Sequence, residues 1–296
     1  MPAAPLPEIR CAVIGAGHFG AYHAQKYAKL PGARLVAVVD SDGARAHGVA
    51  GPLGVRADTD LARVLAEIDC ASVAVPTRAH FDVARACLEA GVHVLVEKPI
   101  AETLEQADAL IALAAARGRV LQVGHLQRFF LERLDLGRHM SRALYIESTR
   151  IAPFKPRGTD VGVTLDLMIH DIDLILAMVG APVTMVDAIG APVVTQAEDI
   201  VNTRLRFANG CVATATASRI SLKTERKMRI FAPEAYVSID FVARTQATKL
   251  AISAARSSPS PNPISSRSIG GRPGIHERPP PLRMETSLRA TKSIET

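Results

Sequence analysis

A glycine-rich turn after a short apolar run constrains the fold of this chain more than any other segment. The run from Ile9 to Ile14 leads into Gly15, Gly17 and Gly20, and a helical pattern follows. In the spacing G-x-G-x-x-G, the first glycine permits a tight turn, the second lets phosphates approach the backbone, and the third permits close packing of helix and strand. The start of that helix offers free N–H groups to the same phosphates. The turn therefore predicts a dinucleotide-binding domain, and a glycine-rich turn without a ligand is the alternative.

Apolar runs of the same kind recur along the first part of the chain and are separated by helical patterns. They end at Val39, Val75, Val96 and Val123. Because these runs do not alternate strictly with polar residues, they are typical of parallel strands that helices cover on both faces. The fold class is therefore predicted to be α/β, with a doubly wound parallel sheet in residues 1–124.

Asp40 closes the second of these strands, 20 residues beyond Gly20. A carboxylate at this place accepts hydrogen bonds from ribose hydroxyls and repels a 2′-phosphate, which favours NAD over NADP. Arg45 lies nearby in the sequence and leaves NADP open as the alternative. A methyltransferase that binds S-adenosylmethionine could use the same glycine loop, but the long part of the chain after the dinucleotide-binding domain would then have no role.

The turn Glu97-Lys98-Pro99 follows the fifth strand. Open α/β sheets bind their ligands outside the carboxyl ends of the strands, so Lys98 is a candidate for contact with a substrate. Pro99 restricts the backbone after Lys98 and is able to adopt the cis form. A solvated surface lysine is the alternative for Lys98 taken alone.

A second candidate group lies on a helical pattern from Val163 to Met178. Asp166 and His170 are four residues apart, so a regular helix would stack them on one face. An imidazole beside a carboxylate is suited to removing a proton from a hydroxyl near neutral pH. The alternative is a helix-terminal carboxylate and a structural histidine. No third or fourth ligand appears at a familiar spacing, so no metal is predicted.

After Gly124 the pattern changes to helices followed by a series of strand-like runs. Ala208-Asn209-Gly210, between two of these runs, is a typical hairpin turn. Residues 125–250 are therefore predicted to form an α+β domain with an open, largely antiparallel sheet. His125 and Arg128, just past the sixth strand, are candidate substrate contacts, although a helix-surface arginine is equally consistent. The strand-like runs are Val183–Ile189, Ile200–Phe207, Cys211–Ser218, Lys227–Phe231 and Ala235–Phe241.

Residues 251–296 hold nine Ser and seven Pro and show no helical or strand period, so they are predicted to be a disordered tail. The tail carries seven Lys or Arg and three Glu, which accounts for most of the net charge of +6. Together with the absence of Trp, this disfavours nucleic acid as a partner. The four cysteines are well separated and form no CxxC, which indicates thiols in a reducing compartment. No apolar stretch reaches the ~18 residues of a membrane span, and a cytoplasmic protein is expected.

Taken together, these motifs resemble the Gfo/Idh/MocA family of oxidoreductases, from about Ile9 to Phe241. The resemblance implies a Rossmann domain followed by an α+β domain, binding of NAD(P), and oxidation or reduction of a sugar or cyclitol hydroxyl. It also implies that Lys98 and His170 form the catalytic pair and that Asp166 orients the imidazole. The motifs that carry the resemblance are Gly15-Ala16-Gly17-His18-Phe19-Gly20, Ala74-Val75-Pro76-Thr77, Glu97-Lys98-Pro99 and Asp166-x-x-x-His170-Asp171. The implied cofactor contacts are Gly15, Gly17, His18, Phe19, Gly20, Asp40, Pro76, Thr77 and Glu97.

Two stretches, residues 123–129 and 160–174, are similar in detail to bacterial members of this family that act on UDP-N-acetylglucosamine. Those members oxidise the sugar 3-hydroxyl on the way to an amino sugar of lipid A. The resemblance also implies a homodimer or tetramer formed through the open sheet. An inositol or free-sugar dehydrogenase, and an NAD-binding protein or paralogue without catalysis, remain the alternatives.

Overall fold

The computed structural model describes residues 7–132, 143–156, 161–233 and 235–250 in two compact units. The N-terminal unit extends to Phe129, and the C-terminal unit begins at Phe130. The domain boundary expected after Gly124 is close to this division. The tail predicted to be disordered, residues 251–296, lies outside the described residues.

The described part of the N-terminal unit contains six strands and five helices. The strands are β1 (Ile9–Ile14), β2 (Ala33–Val39), β3 (Arg56–Asp58), β4 (Cys70–Val73), β5 (His93–Val96) and β6 (Leu121–Val123). The helices are α1 (His18–Tyr27), α2 (Gly43–Ala50), α3 (Ala62–Leu65), α4 (His80–Glu89) and α5 (Leu104–Arg117), and α6 (Gln127–Glu132) begins at the end of the unit. All strand pairs are parallel, in the order β3-β2-β1-β4-β5-β6, which confirms the predicted doubly wound sheet.

Helices cover both faces of this sheet, as the continuous apolar strands require. On one face, Val13 of β1 packs in a cluster with Ala24 of α1. On the other face, Val73 of β4 packs in a cluster with Leu88 of α4 and Leu110 of α5. These five side chains are completely buried, and burial of a valine or leucine side chain contributes ~1.5–3 kcal/mol to stability.

The strand order reverses between β1 and β4, which leaves a crevice where the loops after these two strands diverge. Gly15 follows β1, Ala74 follows β4 and Glu97 follows β5, so three of the candidate segments lie at the same carboxyl edge. The fold therefore brings residues that are far apart in the chain to one side of the sheet.

The C-terminal unit is built on a second sheet. Its strands are β7 (Tyr145–Ile151), β8 (Val183–Ala191), β9 (Ile200–Phe207), β10 (Val212–Ser218), β11 (Glu225–Ala232), β12 (Ala235–Asp240) and β13 (Thr245–Leu250). Their order is β13-β12-β11-β7-β10-β9-β8, and among the described strands of this unit only β7 and β10 pair in parallel. The prediction of a largely antiparallel sheet is confirmed.

Two details of this sheet bear on the sequence predictions. The predicted hairpin turn connects β9 and β10, where Gly210 has a φ of +87° and the N–H of Cys211 donates to Asn209 Oδ1 at 3.1 Å. Strand β13 was not predicted, because its sequence TQATKL lacks apolar alternation. It forms at the sheet edge by pairing its backbone with β12.

Helix α7 (Ile169–Val179) packs against β7 and β10 and ends at Gly180, whose φ is +58°. The segment before it, Thr164–Met168, is a π-helical turn, so the prediction of a regular helix from Val163 onward is wrong at its start. Two contacts from Glu198 hold the chain immediately before this turn. The Glu198 side chain occupies the space that a side chain on Gly162 would need, and the Glu198 carbonyl accepts the N–H of Val163 at 2.9 Å. Within the described residues, no helix has the length and apolar character needed to cross a membrane.

Candidate active site

The glycine turn after β1 forms an open cradle between two tightly packed glycines. Gly15 has a φ of +97°, and a side chain there would stand 2.5 Å from the carbonyl oxygen of Ala74. A side chain on Gly20 would overlap the carbonyl of Gly15. Gly17 differs, because a Cβ at this position meets no atom within 4 Å. The packing thus requires Gly15 and Gly20, while the surface above Gly17 is free for a ligand.

The first turn of α1 opens directly on this cradle. Gly17 is the N-cap residue of α1, and no side chain accepts its first N–H groups. The unshared N–H groups and the positive end of the helix dipole suit the phosphates of a dinucleotide. His18 and Phe19 lie exposed beside the turn, with their ring centroids 5.6 Å apart. Their contact with a cofactor remains a prediction.

Asp40, at the end of β2, presents a carboxylate that several donors hold in place. Its Oδ2 accepts the N–H of Ala16 at 2.7 Å, and its Oδ1 accepts the N–H of Asp42 at 2.9 Å and Arg45 Nη2 at 3.0 Å. Partial burial acts to raise the pKa of Asp40, but these donors outweigh it and the pKa is lowered. The side chain is therefore a firmly ionised acceptor, as recognition of ribose hydroxyls requires.

A cavity of about 640 Å³ lies at the carboxyl edge of the N-terminal sheet. This volume lies within the usual range of small-molecule sites, ~300–1,000 Å³. The cavity occupies the crevice between the ends of β1, β2 and β4. This position, the glycines of the turn after β1 and the carboxylate of Asp40 fit the adenosine and pyrophosphate of NAD. Thr77 begins a short 3₁₀ turn immediately after Pro76. The lining includes Gly15, Gly17, Asp40, Arg45, Val75 and Pro76.

Lys98 lies half-buried at the end of β5, and its peptide bond to Pro99 is cis. The preceding residue, Glu97, is buried, and its Oε1 lies 2.8 Å from Nε2 of His23 on α1. A side chain on Gly124, after β6, would stand 3.1 Å from Glu97 Oε2. The contact of Glu97 with NAD remains a prediction, and the structure gives its carboxylate a partner within the protein.

Two histidines that belong to none of the sequence motifs contact this turn. His23 bonds to Glu97, and buried His80 places Nδ1 2.7 Å from the carbonyl oxygen of Pro99. His23 follows Gly20 by three residues and faces inward on α1, and His80 begins α4. Their helical positions were readable from the sequence, but their partners were not.

In the C-terminal unit, Asp166 lies in the π-helical turn and His170 in the first turn of α7, both half-buried. The next residue, Asp171, is buried and accepts two hydrogen bonds from Arg150 of β7, at 2.8 and 2.7 Å. This ion pair attaches the start of α7 to the sheet. It therefore also limits how far His170 can move.

A second buried ion pair holds the loop that leads into the π-helical turn. Asp199 accepts Arg219 Nε at 2.7 Å and the N–H groups of Val193, Val194 and Thr195 at 2.6–2.8 Å. Arg219 also donates to the carbonyl oxygen of Val161 at 2.8 Å. The chain on the N-terminal side of Asp166 is thus attached to the loop between β8 and β9.

The two candidate substrate residues follow β6. His125 is buried, and its N–H donates to the carbonyl of Val123 at 2.8 Å. Arg128 is half-buried on α6, and its N–H donates to the carbonyl of His125 at 3.2 Å. Their contact with a substrate remains a prediction. Among the described residues, no group of three or more His, Cys, Asp or Glu side chains could hold a metal ion.

The chain is similar to known proteins in sequence and in fold. Residues 9–125 match the family GFO_IDH_MocA, described as "Oxidoreductase family, NAD-binding Rossmann fold", and residues 141–238 match the "GFO/IDH/MocA C-terminal domain". UDP-N-acetylglucosamine 3-dehydrogenase of Acidithiobacillus ferrooxidans is 42% identical over 243 residues, which cover 80% of this chain and 76% of that relative. One solved structure of this dehydrogenase has a TM-score of 0.75 and covers 81% of this chain and 79% of its own. The scyllo-inositol 2-dehydrogenase (NAD(+)) of Bacillus subtilis is 32% identical over 234 residues, 72% of this chain and 68% of that relative.

The parallel sheet, the glycine turn after β1 and the Asp40 carboxylate define an NAD-binding oxidoreductase with a Rossmann domain. The second domain and the sequence identities are more specific, and the chain belongs to the Gfo/Idh/MocA family. The family expected from the motifs is confirmed, and NAD is the cofactor that this family's N-terminal domain binds.

Proposed function

We propose that this chain is an NAD-dependent dehydrogenase that oxidises the 3-hydroxyl of UDP-N-acetylglucosamine or a close nucleotide-sugar analogue. One observation carries the proposal: the 42% identity to a UDP-N-acetylglucosamine 3-dehydrogenase extends over 80% of this chain and 76% of that enzyme. Identity to the inositol dehydrogenase is lower, at 32%, which favours the nucleotide sugar over a free cyclitol. A 3-keto sugar can accept an amino group, which suits a place in the synthesis of lipid A.

In this proposal, NAD supplies the hydride acceptor when it is bound. The cradle above Gly17 and the first turn of α1 hold its phosphates, and Asp40 accepts its ribose hydroxyls. Pro76 and Thr77 follow β4 at the same edge of the sheet, and Pro76 lines the cavity. These residues bind and orient the cofactor and take no part in the proton transfer.

The catalytic step is assigned to three side chains. His170 accepts the proton of the sugar hydroxyl while the carbon that bears this hydroxyl loses a hydride. A carbonyl group forms, and no oxidant besides NAD is needed. Asp166 orients the imidazole and stabilises its charged form. Lys98 hydrogen-bonds the same oxygen and stabilises the negative charge that develops on it. The presence of all three residue types in the family motifs supports catalysis over a binding role alone.

The test is turnover of UDP-N-acetylglucosamine with NAD, followed by NADH absorbance, for the wild type and for His170→Ala. We expect the variant to keep its affinity for NADH and to lose a factor of ~10²–10⁴ in kcat, which is the usual contribution of general-base catalysis. His47→Ala is the matched control, because His47 lies exposed on α2. Unchanged kcat in His170→Ala would refute the assigned role.

A panel of substrates separates the alternative functions. Turnover of scyllo- or myo-inositol without turnover of any UDP-sugar would identify a cyclitol dehydrogenase. Tight NADH binding without turnover of any member of the panel would identify a non-catalytic NAD-binding protein. The four thiols, which are free in the described structure, suit a reducing compartment, and the proposal therefore places the enzyme in the cytoplasm.

The proposal includes a homodimer or tetramer formed through the open sheet of the C-terminal unit. One face of this sheet is buried, with Ala215 and Ile230 among its side chains, whereas Ile200 and Phe231 are more than a third exposed. The exposed face is otherwise largely polar, with Asn202, Arg204, Lys227 and Arg229 among its side chains, so Ile200 and Phe231 are the apolar positions at which a second copy would pack. Light scattering of the wild type and of Phe231→Glu would test this, and a monomeric wild type would exclude it.

A further inference from the structure

Two inward-facing histidines in the N-terminal unit have no part in the mechanism above. The His23 side chain is 12% exposed, and His80 is 2% exposed. Each bonds to a residue next to Lys98, His23 to Glu97 before it and His80 to Pro99 after it. The catalytic lysine is thus held at both neighbours by imidazole rings that come from different helices.

His23 belongs to a chain of hydrogen bonds that starts inside α1. Tyr27 OH lies 2.8 Å from Ser72 Oγ, which lies 3.0 Å from His23 Nδ1, and His23 Nε2 lies 2.8 Å from Glu97 Oε1. With a neutral imidazole, one donor order satisfies every atom: the tyrosine donates to the serine, the serine to the histidine, and the histidine to the carboxylate. Burial raises the pKa of Tyr27 to about 12, so the phenol remains a donor at neutral pH.

His80 connects the other side of the turn to the loop after β4. Its Nδ1 lies 2.7 Å from the Pro99 carbonyl oxygen, and its Nε2 lies 2.9 Å from the Val75 carbonyl oxygen. Both partners are carbonyl oxygens, so a neutral ring donates its single N–H to one of them, and only a ring with a proton on each nitrogen donates to both. Val75 also lines the cavity assigned to NAD. The imidazole therefore connects the cofactor site to the backbone of the lysine turn.

We propose that His23 and His80 are positioning residues that hold the Glu97-Lys98-Pro99 turn and thereby aim the Lys98 ammonium group at the reacting hydroxyl. This inference rests on the proposed dehydrogenase function. The two rings act together with the hydrogen bond from the Glu97 N–H to the Val73 carbonyl oxygen, at 2.9 Å, which fixes the backbone just before Lys98. A misplacement of ~1 Å at a catalytic group can cost ~10²-fold in rate, so loss of either ring is expected to lower kcat strongly.

The experiment compares His23→Leu, His23→Gln, His80→Leu and His80→Gln, with His47→Leu as the control on α2. NADH affinity is measured by fluorescence and kcat by NADH production. We expect NADH affinity to change by less than about threefold and kcat to fall by about 10–100-fold in the leucine variants. His23→Gln should recover most of the rate, because its amide can accept from Ser72 and donate to Glu97. His80→Gln should recover less, because the amide places its oxygen, an acceptor, against one of the two carbonyl oxygens that face the ring nitrogens.

A Lys98→Met background separates positioning from a purely structural role. If the histidines act through Lys98, adding His23→Leu or His80→Leu to Lys98→Met should change kcat little, because the group they position is already gone. An additional full loss in the double variants, or parallel losses of NADH affinity and kcat, would overturn the proposal. If a leucine variant does not fold, the corresponding asparagine variant, whose shorter amide cannot keep both contacts, is used in the same comparison.

A readout without turnover keeps this inference distinct from the proposed function. Acetylation of Lys98 by a water-soluble reagent, measured by mass spectrometry relative to exposed Lys29, reports how the turn presents its amine. The labelling ratio should shift severalfold in the leucine variants and stay unchanged in His47→Leu. A wild type without sugar turnover would refute the dehydrogenase proposal, whereas an unchanged labelling ratio would refute the positioning of Lys98.

Discussion

Replacement of Asp40 by alanine should change the choice between NAD and NADP. The Asp40 carboxylate receives the N–H groups of Ala16 and Asp42 and one arm of Arg45, so its charge is held at the edge of the cavity. A carboxylate in this place accepts ribose hydroxyls and repels a 2′-phosphate. The substitution removes both effects at once, and it leaves the Arg45 guanidinium, which is 57% exposed, with Asp42 as its carboxylate partner at 3.7 Å.

The expected size follows from these contacts. Loss of hydrogen bonds to a charged acceptor costs ~1.5–3 kcal/mol, which corresponds to roughly a 10–100-fold weaker affinity for NADH. For NADPH, the repulsion disappears and Arg45 gains a phosphate partner. Because Arg45 is solvent-exposed, this pair should contribute only ~1 kcal/mol, or roughly fivefold in affinity.

Fluorescence titration with NADH and NADPH measures both dissociation constants for the wild type, Asp40→Ala and Asp40→Ala/Arg45→Ala. The single variant should bind NADH more weakly and NADPH more tightly than the wild type. The double variant should lose the gain for NADPH, particularly at low salt. Equal weakening of both cofactors in Asp40→Ala would show that Asp40 shapes the loop and does not select the ribose.

Three further outcomes follow from contacts described above. Gly17→Ala should keep the free energy of unfolding within ~1 kcal/mol but weaken NADH binding at least ~10-fold, because the new methyl group enters open space above the cradle; unchanged NADH affinity by fluorescence would contradict this. Burial acts to raise the pKa of Asp199, but its N–H partners and Arg219 lower this pKa well below the usual range. The stabilising effect of the Asp199 carboxylate is therefore present above ~pH 4 and is lost as the pH falls further. Urea unfolding at pH 7 and pH 3 should therefore show a smaller acid loss for Asp199→Asn than for the wild type, and equal losses would refute the assignment. Arg150→Met leaves the Asp171 charge buried without its guanidinium and should cost ~3–5 kcal/mol in urea unfolding; the double change Arg150→Met/Asp171→Leu should recover most of this, and a single-variant cost under ~1 kcal/mol would refute the role of the pair.

The features that the sequence predicts well are residues whose role follows from their place at the end of a strand. Gly15, Asp40 and Glu97 each follow directly after a strand, and parallel strands bring such residues to one edge whatever lies between them. The strand-like runs that became β9 and β10, with the hairpin turn between them, likewise predicted the sheet of the C-terminal unit. Local rules were sufficient for these features.

The elements that escaped prediction depend on partners far along the chain. His23 and Glu97 are 74 residues apart, and no local spacing marks them as a pair. The π-helical turn at Asp166 follows Gly162, against which Glu198 packs, and only the folded C-terminal unit brings these two residues together. Strand β13 forms by backbone pairing at an edge, so its side chains carry little of the signal.

The parallel pairing of β7 with β10 determines how late the C-terminal unit can be completed during synthesis. Helix α7 and strands β8 and β9 lie between these two strands in the chain, so the surface on which α7 rests is unfinished until Ser218 has left the ribosome. Pairings between distant segments form slowly because a long loop must close first. A nascent chain stalled before that residue would expose the apolar face of α7 to chaperones, and the helix that carries His170 would be among the last parts to reach its native environment.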